Sequence, residues 1–121
     1  MVRRSSILRL SDIIEAIEHI YHETAGVPLE AFKADWRKRW LVERGIEIIS
    51  EASRHLTHDL KRRHPEIPWQ KVAGVGNVLR HDYERTAADV LWSVARDDLP
   101  PLEQVCREEL EAERARERRS P

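Results

Sequence analysis

The chain has 121 residues, a length that fits one domain with a modest core. Acidic and basic residues nearly balance at a net charge of −1, which excludes a basic field strong enough to hold nucleic acid by charge alone. The single cysteine, Cys106, excludes an intrachain disulfide, no apolar run reaches transmembrane length, and no secretion signal is recognisable at the start. We therefore predict a cytoplasmic protein that does not enter a membrane.

The first half of the chain predicts three helices. Ser11 and Asp12 resemble a helix start, and isoleucines at helical spacing continue the helix over about 11–25, until Gly26 and Pro28 end it. A short helix is predicted at 29–33. A long third helix, at about 35–63, contains Gly45, which favours close packing, and carries an apolar face that comprises Trp36, Trp40, Leu41, Ile48, Ile49, Ala52 and Leu56.

The second half begins after a break that contains Pro65 and Pro68. A helix is predicted at about 69–80, and the next starts at Thr86 and ends near Asp98. Two prolines at 100–101 predict another break before a last helix at about 101–117, whose charged end we expect to be frayed. The sequence therefore predicts an all-α, up-and-down four-helix bundle with short extra helices, comprising an N-terminal arm at 1–10, a bundle domain at 11–112 and a charged tail at 113–121.

The polar residues best suited to catalysis or binding lie near the junction of the helices predicted at 69–80 and from Thr86. Asn77, Arg80, His81 and Tyr83 follow two glycines in the segment Asn-Val-Leu-Arg-His-Asp-Tyr. Histidine can accept or donate a proton near neutral pH, and arginine is suited to phosphate oxygens. These residue types predict a site at this helix junction.

The segment 72–83 resembles the signature region of HepT-like proteins, members of the HEPN superfamily formerly catalogued as DUF86. Their pattern is Arg, four residues, His, one residue, Tyr. The resemblance extends to the isoleucine-rich first helix, to Phe32 and to the segment Glu-Ile-Ile-Ser-Glu-Ala at 47–52. It implies a HEPN-type four-helix fold and a homodimer with the motifs of both copies near a shared cleft.

The resemblance also implies a function. Many HEPN proteins are metal-independent endoribonucleases, and HepT toxins belong to type VII toxin–antitoxin systems. By that match His81 is the candidate acid–base residue for cutting RNA, and Tyr83 is the candidate acceptor of AMP. The other two candidate catalytic residues are Asn77, where the family often has a polar residue, and Arg80, the arginine nearest to the motif position. The AMP would come from a nucleotidyltransferase antitoxin resembling MntA, which uses ATP and magnesium, whereas the chain itself would need no metal or cofactor.

The sequence departs from this pattern at Gly76, where the family's arginine is expected. Arg80 lies four residues later on the same helix face, about 6 Å along the axis, and could reach back. His81 and Tyr83 face opposite ways on a continuous helix, so a shared cleft requires the helix to loosen near 81–85. The alternatives are a catalytically weakened partner of a nucleotidyltransferase and a purely structural helical dimer.

Three further patterns favour ordinary structural roles. His55 and His58 have a spacing that can bind metal, but a solvated helix face is the more common outcome. The four tryptophans are interpreted as core or dimer contacts rather than base-stacking platforms. The cations at 37–39, 44 and 61–63 could form a basic surface near the cleft, although charge on an exposed helix face is the more common explanation.

Overall fold

The computed structural model describes the backbone of residues 2–81 and 87–119, and the side chains of 6–75 and 88–119. Its helices are α1 (Val2–Thr24), α2 (Leu29–Ala34), α3 (Trp36–Arg54), α4 (His58–Arg63), α5 (Trp69–His81), α6 (Ala87–Ser93) and α7 (Leu99–Arg119). A π-helical segment, Val94–Asp98, connects α6 to α7.

The long helices alternate in direction and form the predicted all-α bundle. Lys38 near the start of α3 pairs with Glu23 near the end of α1 at 3.1 Å, so these two helices are antiparallel. Arg107 of α7 lies 3.6 Å from Glu18 of α1, so α7 also packs against α1. Among the described helices, none is both long and apolar enough to cross a bilayer.

The core lies where α1 meets α3 and α7. Leu10, Ile13, Ile17 and Ile20 repeat every three or four residues on α1 and are fully buried. Gly45 of α3 faces Ile20, whose Cδ1 would lie only 2.8 Å from a Cβ added at Gly45. The predicted close packing at Gly45 is therefore confirmed, because the glycine allows α1 and α3 to approach.

Two predicted boundaries in the first half are wrong. α1 begins at Val2 rather than near Ser11, so most of the segment predicted as an arm is helical, and Leu10 belongs to the core. The predicted long helix is divided into α3 and α4, because the Thr57 side chain accepts a hydrogen bond from the Leu60 backbone N–H and caps a new helix there.

The predicted break at Pro100 and Pro101 is also wrong, since α7 begins at Leu99 and contains both prolines in its first turn. Prolines cannot donate the backbone bonds that would continue an α-helix from the preceding turn. The chain accommodates them by widening into the π-helical segment, where the Leu99 N–H bonds to the carbonyl of Val94. α7 then continues through Arg119, beyond the predicted end and through most of the predicted tail.

Candidate functional site

Two hydrogen bonds fix how α5, which carries most of the predicted site, lies against α3. The Ser50 hydroxyl donates to the Val72 carbonyl at 2.8 Å, and the Arg54 guanidinium donates to the Ala73 carbonyl at 2.6 Å. The Trp69 indole N–H anchors the start of α5 to the His64 carbonyl at 3.0 Å. These contacts place the start of α5 beside α4 and the end of α3, whereas Asp89, which follows α5 in the chain, lies 3.1 Å from Lys33 of α2, just before α3. The last turns of α5 therefore run beside the first half of α3.

The structure places Asn77, Arg80 and His81 on the last two turns of α5. Positions 80 and 81 follow position 77 by three and four residues, so each of them lies on the same side of the helix as position 77. Gly76 and Arg80 are four residues apart within the same helix. The side chains of these residues and the whole of Tyr83 lie outside the part of the chain that the structure describes. The catalytic roles and the loosening of the helix near 81–85 therefore remain predictions.

The first half of α3 presents an aromatic pair beside this end of α5. Trp36 and Trp40 are 50% and 60% exposed, and their ring centroids lie 4.9 Å apart in an edge-to-face arrangement. Leu41 is also partly exposed. The prediction that these three residues join the apolar packing face is wrong, because the face turned to the core is offset and is occupied instead by Val42 and Ile46.

A shallow groove of about 240 Å³ continues from the aromatic pair and is lined by Trp40, Glu43, Arg44 and Glu47. Arg44 lies 3.4 Å from Glu47, and the Arg44 side chain is 70% exposed. Burial, together with the nearby charge of Glu47, raises the pKa of Glu43. We call the stripe formed by the exposed Trp36, Trp40 and Arg44 and the partly exposed Glu43 and Glu47 the α3 ridge.

The α3 ridge borders the side of α3 that faces α5. Residues 36, 40, 43, 47, 50 and 54 follow one another at steps of three or four, which places them on one helix face, and Arg44 lies about 100° further round the helix from Glu43. Ser50 and Arg54, at the far end of this face, are the residues that bond to α5. The ridge therefore borders the last turns of α5, where the predicted catalytic residues lie.

The cavity beneath α5 has a different character. It measures about 20 Å³ and lies among apolar residues that include Ile46, Val72, Val75 and Leu99. A space of this size holds at most about one water molecule. It is a packing gap rather than a ligand site.

The histidine pair on which a metal site could have rested is divided by the break between α3 and α4. His55 caps the end of α3 and lies 3.2 Å from Glu51, whereas His58 begins α4. Within the part of the chain that the structure describes, no three metal-ligating side chains come together.

A second polar cluster, which sequence reasoning missed, joins α4 to α7. Glu109 is buried and accepts hydrogen bonds from Arg63 at 2.7 Å and from His64 at 2.6 Å. Burial alone would raise the pKa of Glu109, but these two hydrogen bonds outweigh it and lower the pKa. The partners are more than forty positions apart, so no local sequence pattern could have revealed the cluster.

Comparisons with known proteins agree with the family resemblance seen in the sequence. The family described as Ribonuclease HepT-like matches residues 13–109. A Thermococcus cleftensis protein described as "Probable ribonuclease HepT" is 41% identical over 84% of this chain and 92% of its own length. A Methanocaldococcus jannaschii protein described as a "Putative RNase" is 30% identical over 84% of this chain and 94% of its own length. No solved structure matches. The chain therefore belongs to the ribonuclease HepT-like family.

Proposed function

We propose that this protein is a metal-independent RNA endonuclease whose catalytic residues lie at the end of α5. The observation that carries the proposal is the combination of family membership with the Asn-Val-Leu-Arg-His-Asp-Tyr segment, most of which forms the last turns of α5. RNA contains its own nucleophile, the 2′-hydroxyl, so positioned acid–base and cationic groups suffice for cleavage.

In the proposed reaction His81 accepts the proton of the 2′-hydroxyl as that oxygen attacks the neighbouring phosphorus. The bond from phosphorus to the 5′-oxygen then breaks, and this oxygen takes a proton. A homodimer with a shared cleft would supply two copies of His81, one to accept and one to donate. Arg80 stabilises the charge that develops on the phosphate, and Asn77 holds a phosphate oxygen by hydrogen bonding.

The first test is the substitution His81→Ala, assayed by cleavage of a labelled RNA. We expect a loss of about 10²- to 10⁴-fold, the usual contribution of a general acid–base group. His58→Ala is the matched control, because His58 is an exposed histidine on α4 and should leave the rate unchanged. Cleavage that persists in His81→Ala would remove His81 from the mechanism.

Gly76 favours a second candidate, a weakened enzyme that acts as the binding partner of a nucleotidyltransferase. The substitution Gly76→Arg separates the two by returning a guanidinium to the position where the family carries one. If Arg80 already serves the phosphate, the wild-type protein cleaves RNA and Gly76→Arg changes the rate by about tenfold or less. If the wild-type protein is inactive and Gly76→Arg restores cleavage, the second candidate is correct.

We further propose that the protein is the toxin of a toxin–antitoxin pair and that a nucleotidyltransferase antitoxin controls it. The Tyr83 oxygen would attack the α-phosphate of ATP, with pyrophosphate leaving, and magnesium would serve the transferase. AMP on Tyr83 adds bulk and a negative charge close to His81 in sequence, and both would repel RNA. The support for this regulation is the His-x-Tyr pair within the motif.

Intact mass after co-expression with a neighbouring nucleotidyltransferase tests the regulation. We expect a gain of one or more AMP groups that disappears in Tyr83→Phe. Tyr21→Phe is the control, because the Tyr21 hydroxyl is buried and should accept no AMP. An unmodified wild-type chain would contradict this part of the proposal without affecting the nuclease assay.

A further inference from the structure

The α3 ridge combines two kinds of side chain that single-stranded nucleic acid requires. Trp36 and Trp40 lie one helical turn apart and are 50% and 60% exposed. Beside the ridge, the Arg37 guanidinium lies 5.3 Å from the Trp36 ring centroid, and Arg44 is 70% exposed one turn beyond Trp40. Proteins that bind single strands stack bases on such rings and place cations along the phosphates.

We propose that the α3 ridge is the RNA-binding surface that presents a single strand to the catalytic residues on α5. This inference rests on the proposed function and adds the position of the substrate. Trp40, the more exposed indole, stacks on a base. Arg44 and Arg37 contact the phosphates on either side of it.

The charge pattern of the ridge favours RNA over a second copy of the chain. The centres of protein–protein interfaces are depleted of glutamate, although they are enriched in tryptophan and arginine. Here Glu43 and Glu47 line the same groove as Trp40, so a second copy would have to bury two carboxylates. A single strand of RNA leaves these groups in contact with water while it covers the rings.

The position of the ridge supports the same conclusion. Ser50 and Arg54 bond to the first half of α5, and the pairing of Lys33 with Asp89 brings the chain that follows α5 back to the start of α3. The ridge lies between these two contacts, beside the last turns of α5. Neighbouring antiparallel helices lie about 8–10 Å apart. A nucleotide stacked on Trp40 is therefore within one or two nucleotides of a phosphate bound at the end of α5.

Binding is measured separately from cleavage with a short fluorescent oligouridine that is 2′-O-methylated and therefore has no free 2′-hydroxyl. Trp40→Ala should weaken binding about 5- to 100-fold, whereas Trp40→Phe, which retains a ring, should keep most of the affinity. Arg44→Ala should reduce the slope of log affinity against log salt by about one. Glu47→Gln should strengthen binding, because it removes a charge that repels phosphate.

Two control variants test whether loss of any exposed apolar side chain or any exposed arginine weakens binding. Leu8→Ala removes another exposed apolar side chain, and Arg62→Ala removes another exposed arginine that pairs with a carboxylate three residues earlier. Both should bind the oligouridine like the wild type. The mass of Trp40→Ala in solution, measured by light scattering, should also equal that of the wild type.

The proposal is overturned if Trp40→Ala binds within about twofold of the wild type. It is also overturned if Trp40→Ala changes the oligomeric state, since the ridge would then be an interface between copies. These outcomes are distinct from failure of the nuclease proposal. An α3 ridge that binds RNA in a protein unable to cleave it would leave the present inference intact, whereas cleavage unaffected by the ridge variants would leave only the nuclease proposal.

Discussion

Helices α3 and α5 lie side by side, and the two ends of this pair are built differently. At the packed end Ile46, Ile49 and Val72 are buried, and the Ser50 hydroxyl bonds to the backbone of α5. At the open end α3 presents exposed indoles and arginines beside the part of α5 that contains the predicted catalytic residues, including His81. One pair of helices thus provides both a core contact and a candidate site.

The difference shows how a small bundle can hold polar chemistry in a fixed place. Burial of apolar area at the packed end stabilises the relative position of α3 and α5. The open end is held in register by that contact and does not need to supply packing energy itself. Its side chains can therefore be of types that bind a ligand, such as Trp40 and Arg44, rather than types that fill a core.

The largest effect expected from this comparison is on stability at the packed end. Ile46→Ala should lower the free energy of unfolding by about 2–5 kcal/mol, because it removes buried methylene groups and leaves a cavity next to an existing gap. Trp40→Ala, at the open end of the same helix, should change it by no more than about 0.5 kcal/mol. Denaturant unfolding measures both. A large loss in Trp40→Ala would mean that the open end also contributes to the core.

Glu109, which joins α7 to α4, makes the stability of the fold depend on pH. Its lowered pKa in the folded state means that it stabilises the fold above about pH 4.5, the ordinary value for this side chain, and that this contribution is lost as the pH falls through the lowered value. Glu109→Gln should reduce stability at neutral pH by about 1–2 kcal/mol, since Arg63 is half exposed and the pair is partly screened.

Thermal unfolding as a function of pH measures this effect. The wild type should lose more stability than Glu109→Gln as the pH falls below about 4.5. The matched control is Glu108→Gln, because Glu108 is an exposed neighbour on the same helix. Parallel curves for the wild type and Glu109→Gln would show that the bonds to Arg63 and His64 do not stabilise the fold.

The sequence was sufficient for the fold class and for the position of α5 but not for the open end of α3. Isoleucines at helical spacing predict α1 and its buried face, and two prolines predict the break before Trp69. Trp36 and Trp40 also follow helical spacing, yet they face away from the core. Periodicity identifies an apolar face without showing whether another helix covers it, and that depends on tertiary packing.

The predicted site was located by its motif, whereas its surroundings required the structure. Arg44 and Glu47 are visible in the sequence as ordinary charges on a helix. Only the course of α5, which bonds to Ser50 and Arg54 near its start and leads to Asp89 beside Lys33, places the first half of α3 beside the last turns of α5. The prolines at 100–101 also predicted a break that only the structure could correct. The π-helical segment before them accommodates the two missing N–H donors, so the chain stays helical.

The smallest expected effect concerns two glycines on this helix pair. Alanine favours a helix over glycine by about 1 kcal/mol, so Gly74→Ala on α5, where an added Cβ meets no atom within 4 Å, should stabilise the protein by about 0.5–1 kcal/mol. Gly45→Ala on α3 has the same intrinsic preference, but its Cβ would lie 2.8 Å from the buried Ile20 side chain. The steric cost should cancel or exceed the gain. Equal stabilisation by both substitutions would show that α1 and α3 can separate at Gly45 without loss, and that the close approach there is not what holds α3 in place.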